Sequence, residues 1–185
     1  MKKEVEIQVI IKNPEKAEEK LNKTGKYIKT RKQIDKYFIP PEENFFEKNP
    51  PIEYLRIRFE KDGNHLNYSF LNFDKNGDLI STDEYETLIR EPKVVEEILK
   101  KIRLIQVVTV KKIRKYFDCG NFEITIDQVE GLGNFMEIEA KNLLGTPLET
   151  KKKCKKFLKE LEIEYEIKKE MGYPRMLYKK LHCKK

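Results

Sequence analysis

The sequence predicts an α+β fold in which eight antiparallel strands close into a β-barrel with about three flanking helices. Apolar and polar residues alternate in most segments, which is typical of half-buried strands. Turn dipeptides such as Asp62-Gly63 and Asn76-Gly77 separate consecutive segments, as in β-hairpins. Many antiparallel strands in one domain favour closure, because a closed sheet has no unpaired edges.

The chain has 185 residues and no internal linker, so we expect one domain over residues 1–185. A proline stands at or next to the start of each predicted helix, where its missing N–H costs nothing. The predicted strands are 2–11, 33–38, 54–60, 66–73, 79–90, 105–117, 122–129 and 135–141. The predicted helices are 14–25, 92–103 and 147–162. The segment after residue 162 shows no clear pattern.

The composition restricts the classes of partner. The net charge of +7 favours a polyanion, either nucleic acid or a small phosphorylated ligand. The lysines of 151–156 and of the C-terminal segment fit a solvated helix face, and no aromatic-basic recognition motif is present, so we do not expect nucleic acid. His65 and His182 are interpreted as surface residues of a turn and a tail, without a catalytic role.

The predicted location is the cytoplasm. The three cysteines form no CxxC pair, so neither a disulfide framework nor a structural zinc site is expected. We find no signal peptide and no apolar stretch of membrane-spanning length, and we expect no membrane partner. A homodimer is left open.

Several predicted strands carry like charges at alternate positions, opposite an apolar face. On any single strand, a charged face turned to water explains this pattern. Over six strands, neighbouring like charges cost stability unless a ligand bridges them. The candidate inward acids are Glu4, Glu6, Asp35, Glu84, Glu86, Glu123, Asp127, Glu137 and Glu139. The candidate inward bases are Arg56, Arg58, Lys112 and Arg114.

An excess of confined carboxylates requires compensation by positive charge. Divalent cations supply it, and oxygen-only ligands favour Mg²⁺ or Mn²⁺ over zinc. The basic positions, in turn, are suited to an oligophosphate. The pattern therefore indicates a site that binds both a metal ion and a phosphorylated compound.

Several motifs resemble those of the CYTH superfamily, also called triphosphate tunnel metalloenzymes. The first is Glu4-Val5-Glu6-Ile7-Gln8, which is similar to the E-x-E-x-K strand of that family. Segments 33–38, 55–58 and 112–114 follow in the family's order, and segment 127–139 is the most specific match. The resemblance is strongest to the class IV adenylyl cyclase and thiamine triphosphatase branches. It covers residues 1–142 continuously.

The resemblance implies an eight-stranded tunnel that binds ATP or another triphosphate-bearing small molecule. It implies metal binding by Glu4, Glu6, Glu137 and Glu139, and phosphate contacts by Arg56, Arg58, Lys112 and Arg114. It implies catalytic roles for Glu4, Glu6, Glu86 and Asp127. The acidic and basic residues of these sets are expected to share one cavity.

Three positions depart from the family pattern, and each replaces a basic residue by a neutral one. They are Gln8, Ser69 and Thr82. Each lost cation weakens phosphate binding by ~1–3 kcal/mol if the contact is charge-assisted. Two interpretations therefore stand: a metal-dependent enzyme that cyclises ATP or hydrolyses a triphosphate, and a non-catalytic binder of nucleotide or oligophosphate with a degenerate tunnel.

Overall fold

The computed structural model describes residues 2–167 and 172–182. Within them the fold is α+β, as predicted, with ten strands and four helices. The strands are β1 Lys2–Glu4, β2 Glu6–Ile11, β3 Lys26–Ile39, β4 Glu53–Phe59, β5 Asn64–Phe73, β6 Leu79–Ile89, β7 Ile105–Cys119, β8 Phe122–Val129, β9 Gly133–Ala140 and β10 Tyr165–Glu166. The helices are α1 Pro14–Thr24, α2 Pro92–Lys101, α3 Pro147–Glu160 and α4 Tyr173–His182.

The strands are hydrogen-bonded in the order β1-β6-β5-β4-β3-β7-β8-β9-β2-β10. The pairs β2–β9, β4–β5, β5–β6, β7–β8 and β8–β9 are antiparallel. The predicted α+β fold with an antiparallel sheet is thus confirmed. The closed eight-stranded barrel is not confirmed by this order and stays a prediction.

The structure differs from the sequence prediction in three regions: the first strand, the start of β3, and the segment after residue 162, which contains both β10 and α4. The first predicted strand is divided at Val5, whose carbonyl accepts a hydrogen bond from the Ala140 N–H. Strand β3 begins at Lys26, seven residues earlier than predicted, because an exposed segment without apolar alternation pairs as strand. Its Tyr27 ring packs edge-on against Phe117 at 5.7 Å. Helix α4 lies in the segment for which the sequence showed no pattern.

The chain divides into two compact units. Among the described residues, the first unit contains 2–3, 32–111 and 172–182, and the second contains 4–31 and 112–167. In the first unit, α2 packs Leu99 against Phe38 and Ile57 on one face of the sheet. The opposite face of these strands carries the polar side chains.

In the second unit, α1 and α3 cover the apolar face of β2, β8 and β9. Leu21 of α1 and Leu158 of α3 pack into one cluster with Ile124, Met136 and Ile138. Helix α3 begins with a capping box between Thr146 and Glu149, which fixes its entry onto the sheet. Because strand side chains alternate between faces, the neighbours of these core residues are held on the other face. In the described part of the chain, no helix has the length and apolar character needed to span a membrane.

Candidate functional site

The polar face of the second unit is organised around an arginine. Arg114 of β7 and Asp127 of β8 are cross-strand neighbours. The Arg114 Nε donates to Asp127 Oδ1 at 2.7 Å, and Nη2 donates to Oδ2. Asp127 is fully buried, and Lys112 Nζ lies 3.9 Å from its Oδ2. This bidentate geometry fixes the guanidinium plane as well as its position.

Glu137 of β9 lies beside this pair and uses both of its carboxylate oxygens. Arg114 Nη2 donates to Glu137 Oε2, and Gln8 Nε2 donates to Glu137 Oε1 at 2.7 Å. Arg114 therefore donates hydrogen bonds to two carboxylates, those of Asp127 and Glu137. Gln8 occupies the position at which the family motif has a lysine, and in this chain a neutral amide contacts the same carboxylate.

Glu6 marks an acidic region on this face. Burial raises the pKa of the Glu6 carboxyl well above its usual 4.5, and the charges of Glu137, Glu139 and Glu4 raise it further against the opposing effect of Arg114. Glu6 pairs in register with Glu139, which pairs in turn with Glu123. The carboxylates of three neighbouring strands thus lie in one row, where a cation would stabilise them.

The first unit contains a second arginine–aspartate group. Arg58 Nε and Nη2 donate to the two oxygens of Asp35 at 2.7 and 2.8 Å. Arg56 Nη1 lies 3.7 Å from the same carboxylate. Burial acts to lower the pKa of Arg56, but contact with Tyr37 and the carboxylates of Asp35 and Glu84 raise it above its usual value. Arg56 therefore stays charged. Its buried Nε has no hydrogen-bond partner among the described residues.

Beside these arginines, β5 and β6 present neutral and acidic side chains. The Ser69 hydroxyl shares its one proton between Asn67 Oδ1 at 2.8 Å and Glu84 Oε1 at 3.2 Å. Glu86 lies opposite Asn67, and its Oε1 is 3.1 Å from His65 Nδ1. His65 is thus a half-buried member of β5 in contact with a predicted catalytic residue. The sequence interpretation of His65 as a surface turn residue is wrong, since β5 begins at Asn64.

The structure brings the predicted site residues together in groups. In the second unit, Arg114, Asp127 and Glu137 are in direct contact, with Lys112 next to Asp127. Glu4, Glu137 and Glu139 are close enough to Glu6 to raise its pKa. In the first unit, Arg56 and Arg58 share Asp35, while Glu86 contacts His65.

No three His, Cys, Asp or Glu side chains within 2–167 and 172–182 are arranged closely enough to hold a metal ion. The chemistry of the predicted donors nevertheless fits a hard divalent cation, because all four are carboxylates and Glu6 is crowded by like charges. Glu137 already accepts hydrogen bonds from Gln8 and Arg114, so a bound cation would compete with these donors at that carboxylate.

Sequence reasoning missed three neutral residues on these faces. Asn67 and Thr125 are buried at 0% and 4% exposure, and Tyr37 is buried at 5%. Thr125 lies between two isoleucines and Asn67 between Leu66 and Tyr68, so the period of two could have placed both on the polar face; Tyr37 shares the face of Asp35, two positions earlier. Their side chains are uncharged, so the pattern of like charges along the strands does not single them out.

Comparison with known proteins gives consistent matches across the chain. The CYTH domain model matches residues 2–179. A Methanocaldococcus jannaschii protein named "Putative adenylate cyclase MJ0240" is 38% identical over 138 residues, which are 74% of this chain and 75% of that protein. The structure of PH1819 from Pyrococcus horikoshii OT3 aligns with a TM-score of 0.81 and 28% identity, and the alignment covers 96% of this chain and 99% of that chain.

A more distant structural match is HpAC1 from Hippeastrum, named as a putative adenylyl cyclase with a dominant triphosphatase activity. It aligns with a TM-score of 0.66 over 96% of this chain and 95% of that chain. At 19% identity this match supports the shared fold alone.

Proposed function

Because this chain belongs to the CYTH domain family, we propose that it is an enzyme acting on a triphosphate compound with the help of a divalent metal ion. We propose that it does so as a single CYTH-like domain. The observation that carries the proposal is Arg56, a charged and half-buried side chain whose buried Nε lacks a hydrogen-bond partner in the described part of the chain. A phosphate oxygen would accept from that N–H and balance its charge.

Arg56, Arg58, Lys112 and Arg114 are the proposed phosphate-binding residues. Asp35 and Asp127 orient two of these guanidinium groups through paired hydrogen bonds. A fixed guanidinium loses less conformational entropy when it binds phosphate, so this support favours affinity and geometry. The contact of Asp127 with Arg114 supports a positioning role for Asp127 beside its predicted catalytic role.

Glu4, Glu6, Glu137 and Glu139 are the proposed holders of Mg²⁺ or Mn²⁺. The bound ion would neutralise charge on the phosphate groups and activate the attacking oxygen. The chain's own contribution is a set of carboxylates around Glu6, whose pKa is raised first by burial and then by the charges of Glu137, Glu139 and Glu4, so a cation would stabilise their ionised forms. Glu86 is proposed as a further catalytic residue, and it accepts a hydrogen bond from Asn67 Nδ2 at 3.5 Å.

Two reactions fit this arrangement. In the cyclase reaction the ribose 3′-hydroxyl of ATP attacks the α-phosphorus and releases pyrophosphate. In the hydrolase reaction water attacks the terminal phosphorus. Both depend mainly on positioning and charge neutralisation, so one set of residues can support either. The relative named as a putative adenylate cyclase favours the first reaction, and the second is the alternative within the same proposal.

A non-catalytic binder of nucleotide or oligophosphate is the second candidate. The observation in its favour is that two neutral residues at motif-lysine positions are already used in hydrogen bonds. Gln8 donates to Glu137, and the Ser69 hydroxyl shares its one proton between Asn67 and Glu84. These positions supply no positive charge to a leaving phosphate, which would lower turnover more than binding.

The deciding experiment is product identification. Purified protein is incubated with ATP, thiamine triphosphate and tripolyphosphate under Mg²⁺ or Mn²⁺, and the products are resolved by chromatography. Cyclic AMP with pyrophosphate identifies a cyclase, and free orthophosphate identifies a hydrolase. Arg56→Gln is the matched control, because it should remove the activity of a true site and leave that of a contaminant unchanged. If tripolyphosphate raises the melting temperature but no product forms, the protein is a non-catalytic binder. No shift and no product would refute both.

A further inference from the structure

Each oxygen of the Glu137 carboxylate already accepts a hydrogen bond in this structure. Gln8 Nε2 donates to one of its oxygens at 2.7 Å, and Arg114 Nη2 donates to the other. Glu137 is 8% exposed, so water has little access to it. A divalent ion that binds Glu137 therefore competes with these donors, above all with the positively charged Arg114, which it repels. A hydrogen bond that the ion displaces then needs a replacement, because metal-bound carboxylates are normally oriented by a donor in their second coordination sphere.

Thr125 of β8 has the position and the chemistry to supply that replacement. It pairs in register with Glu137 on β9 and with Tyr116 on β7. Directly opposite residues in an antiparallel sheet have Cβ atoms ~4.5–5.5 Å apart, on the same face. On its own strand it stands between Glu123 and Asp127, both of which share that face.

The hydroxyl of Thr125 is unused in the described part of the chain. Thr125 is 4% exposed, and its Oγ1 has no hydrogen-bond partner there. A buried hydroxyl without a partner is unfavourable, and valine has nearly the same shape without that cost. The contacts of the described residues therefore do not explain a threonine at this position. It is explained if the hydroxyl acquires a partner when the site is loaded.

We propose that Thr125 is a positioning residue for Glu137 in the metal-bound protein. When the ion takes Glu137 from Gln8 or Arg114, the Thr125 hydroxyl donates to a carboxylate oxygen and holds it toward the ion. Arg114 keeps its two bonds to Asp127 and remains oriented. This inference rests on the proposed function, because it needs Glu137 to ligate the metal.

The test compares the cation-free and cation-bound states of the full chain. Mn²⁺ affinity is measured by calorimetry, and the melting temperature is measured without metal, for Thr125→Val and Thr125→Ser. Loss of a donor in the second coordination sphere weakens metal binding by roughly 10- to 100-fold, so Thr125→Val should bind Mn²⁺ about tenfold less tightly. Its melting temperature without metal should be unchanged or higher, because an unsatisfied hydroxyl is removed. Thr125→Ser keeps the donor and should restore the affinity.

Thr150 provides the matched control. It is also a buried threonine of the second unit, but its Oγ1 already accepts a hydrogen bond from the Leu144 N–H at 2.9 Å. Thr150→Val should therefore lower the melting temperature without metal and leave the Mn²⁺ affinity unchanged. The two variants should show opposite patterns.

Two results would overturn the inference in distinguishable ways. If the natural protein binds Mn²⁺ and Thr125→Val binds it equally well, Thr125 has no positioning role and the proposed metal site stands. If Glu137→Gln also leaves Mn²⁺ affinity unchanged, the metal assignment itself falls, and this inference falls with it. A melting temperature for Thr125→Val that drops as far as that of Thr150→Val would show a purely structural hydroxyl.

Discussion

Arg58 forms a bidentate pair with its cross-strand neighbour Asp35, through Nε–Oδ1 and Nη2–Oδ2 hydrogen bonds of 2.7 and 2.8 Å. Arg114 and Asp127 form the same kind of pair in the second unit, again between adjacent strands. Each aspartate is buried, and each arginine comes from a strand with a second basic residue two positions away. In both units, a bidentate pair with a buried aspartate on the adjacent strand thus orients a proposed phosphate-binding arginine.

Replacing Asp35 should destabilise the fold strongly. Asp35 is 1% exposed, and Asp35→Asn leaves Arg56 and Arg58 without their shared carboxylate. Breaking a buried ion pair by removing one partner costs ~3–5 kcal/mol. The free energy of unfolding is measured with urea at neutral pH. Glu162→Gln is the control, because the pair of Glu162 with Lys20 is exposed and its loss should hardly change the free energy of unfolding. Equal losses in the two variants would contradict the prediction.

The Glu96–Lys36 pair should make a pH-dependent contribution to stability. Hydrogen bonds from Lys36 and then Lys100 lower the pKa of Glu96 below its usual 4.5, against the effect of burial. A carboxyl group whose pKa is lower in the folded than in the unfolded state stabilises the fold at any pH above its unfolded-state pKa. This stabilisation is lost as the pH falls through the folded-state pKa. The difference in free energy of unfolding between the natural protein and Glu96→Gln should therefore be largest at neutral pH and should decrease below pH 4.5.

Glu97 on the same helix is the matched control for that experiment. It also pairs with Lys100, but it is 63% exposed. Urea unfolding at neutral pH and at about pH 3 should show a small, nearly pH-independent effect of Glu97→Gln. If Glu96→Gln lowers the free energy of unfolding as much at about pH 3 as at neutral pH, the ionised Glu96–Lys36 pair is not the cause of that loss.

Glu137→Gln should weaken Mn²⁺ binding while the fold survives. The substitution removes one ligand charge but keeps a side chain of the same size, whose oxygen can still accept from Gln8. We expect a loss of affinity of at least about tenfold by calorimetry. Glu19→Gln, on the exposed surface of α1, makes the same change in net charge and should have no effect. Identical Mn²⁺ affinities in the two variants would refute the metal assignment of Glu137.

Restoring the missing cations should tighten binding of tripolyphosphate. Ser69→Lys and Gln8→Lys each add one positive charge on a polar face, next to Glu84 and Glu137 respectively. A charge-assisted contact is worth ~1.5–3 kcal/mol, so each change should improve affinity by about tenfold or more, with any turnover rising in parallel. Ser69→Met and Gln8→Met match the length without the charge. Calorimetry that finds no difference between the lysine and methionine variants would show that neither position contacts the phosphates.

Much of the fold could be read from local pattern. The alternation that placed Ile124 and Ile126 on one face of β8 and Glu123 and Asp127 on the other is confirmed by the core that the isoleucines enter. Pro14, Pro92 and Pro147 each stand at the start of a helix, where φ near −65° is already favourable. These features depend on residues adjacent in sequence, so the sequence is sufficient to predict them.

The elements that were mispredicted depend on contacts outside their own segment. The first residues of β3 have no apolar period, and they form strand through pairing and through the Tyr27–Phe117 contact. Helix α4 packs Tyr178 against Phe46 and hydrogen-bonds to Asn44, residues more than a hundred positions earlier in the chain. Local propensity contains no information on such partners.

The sequence by itself determined which residues lie on the polar face, because a strand has a side-chain period of two. Only the tertiary structure decided what each of them contacts. Gln8 donates to Glu137 across 129 positions of sequence, and Arg114 divides its donors between Asp127 and Glu137. These partnerships follow from the register of β2, β7, β8 and β9, and register is set by the packing of distant apolar residues. The raised pKa of Glu6 and the unused hydroxyl of Thr125 follow from that same register.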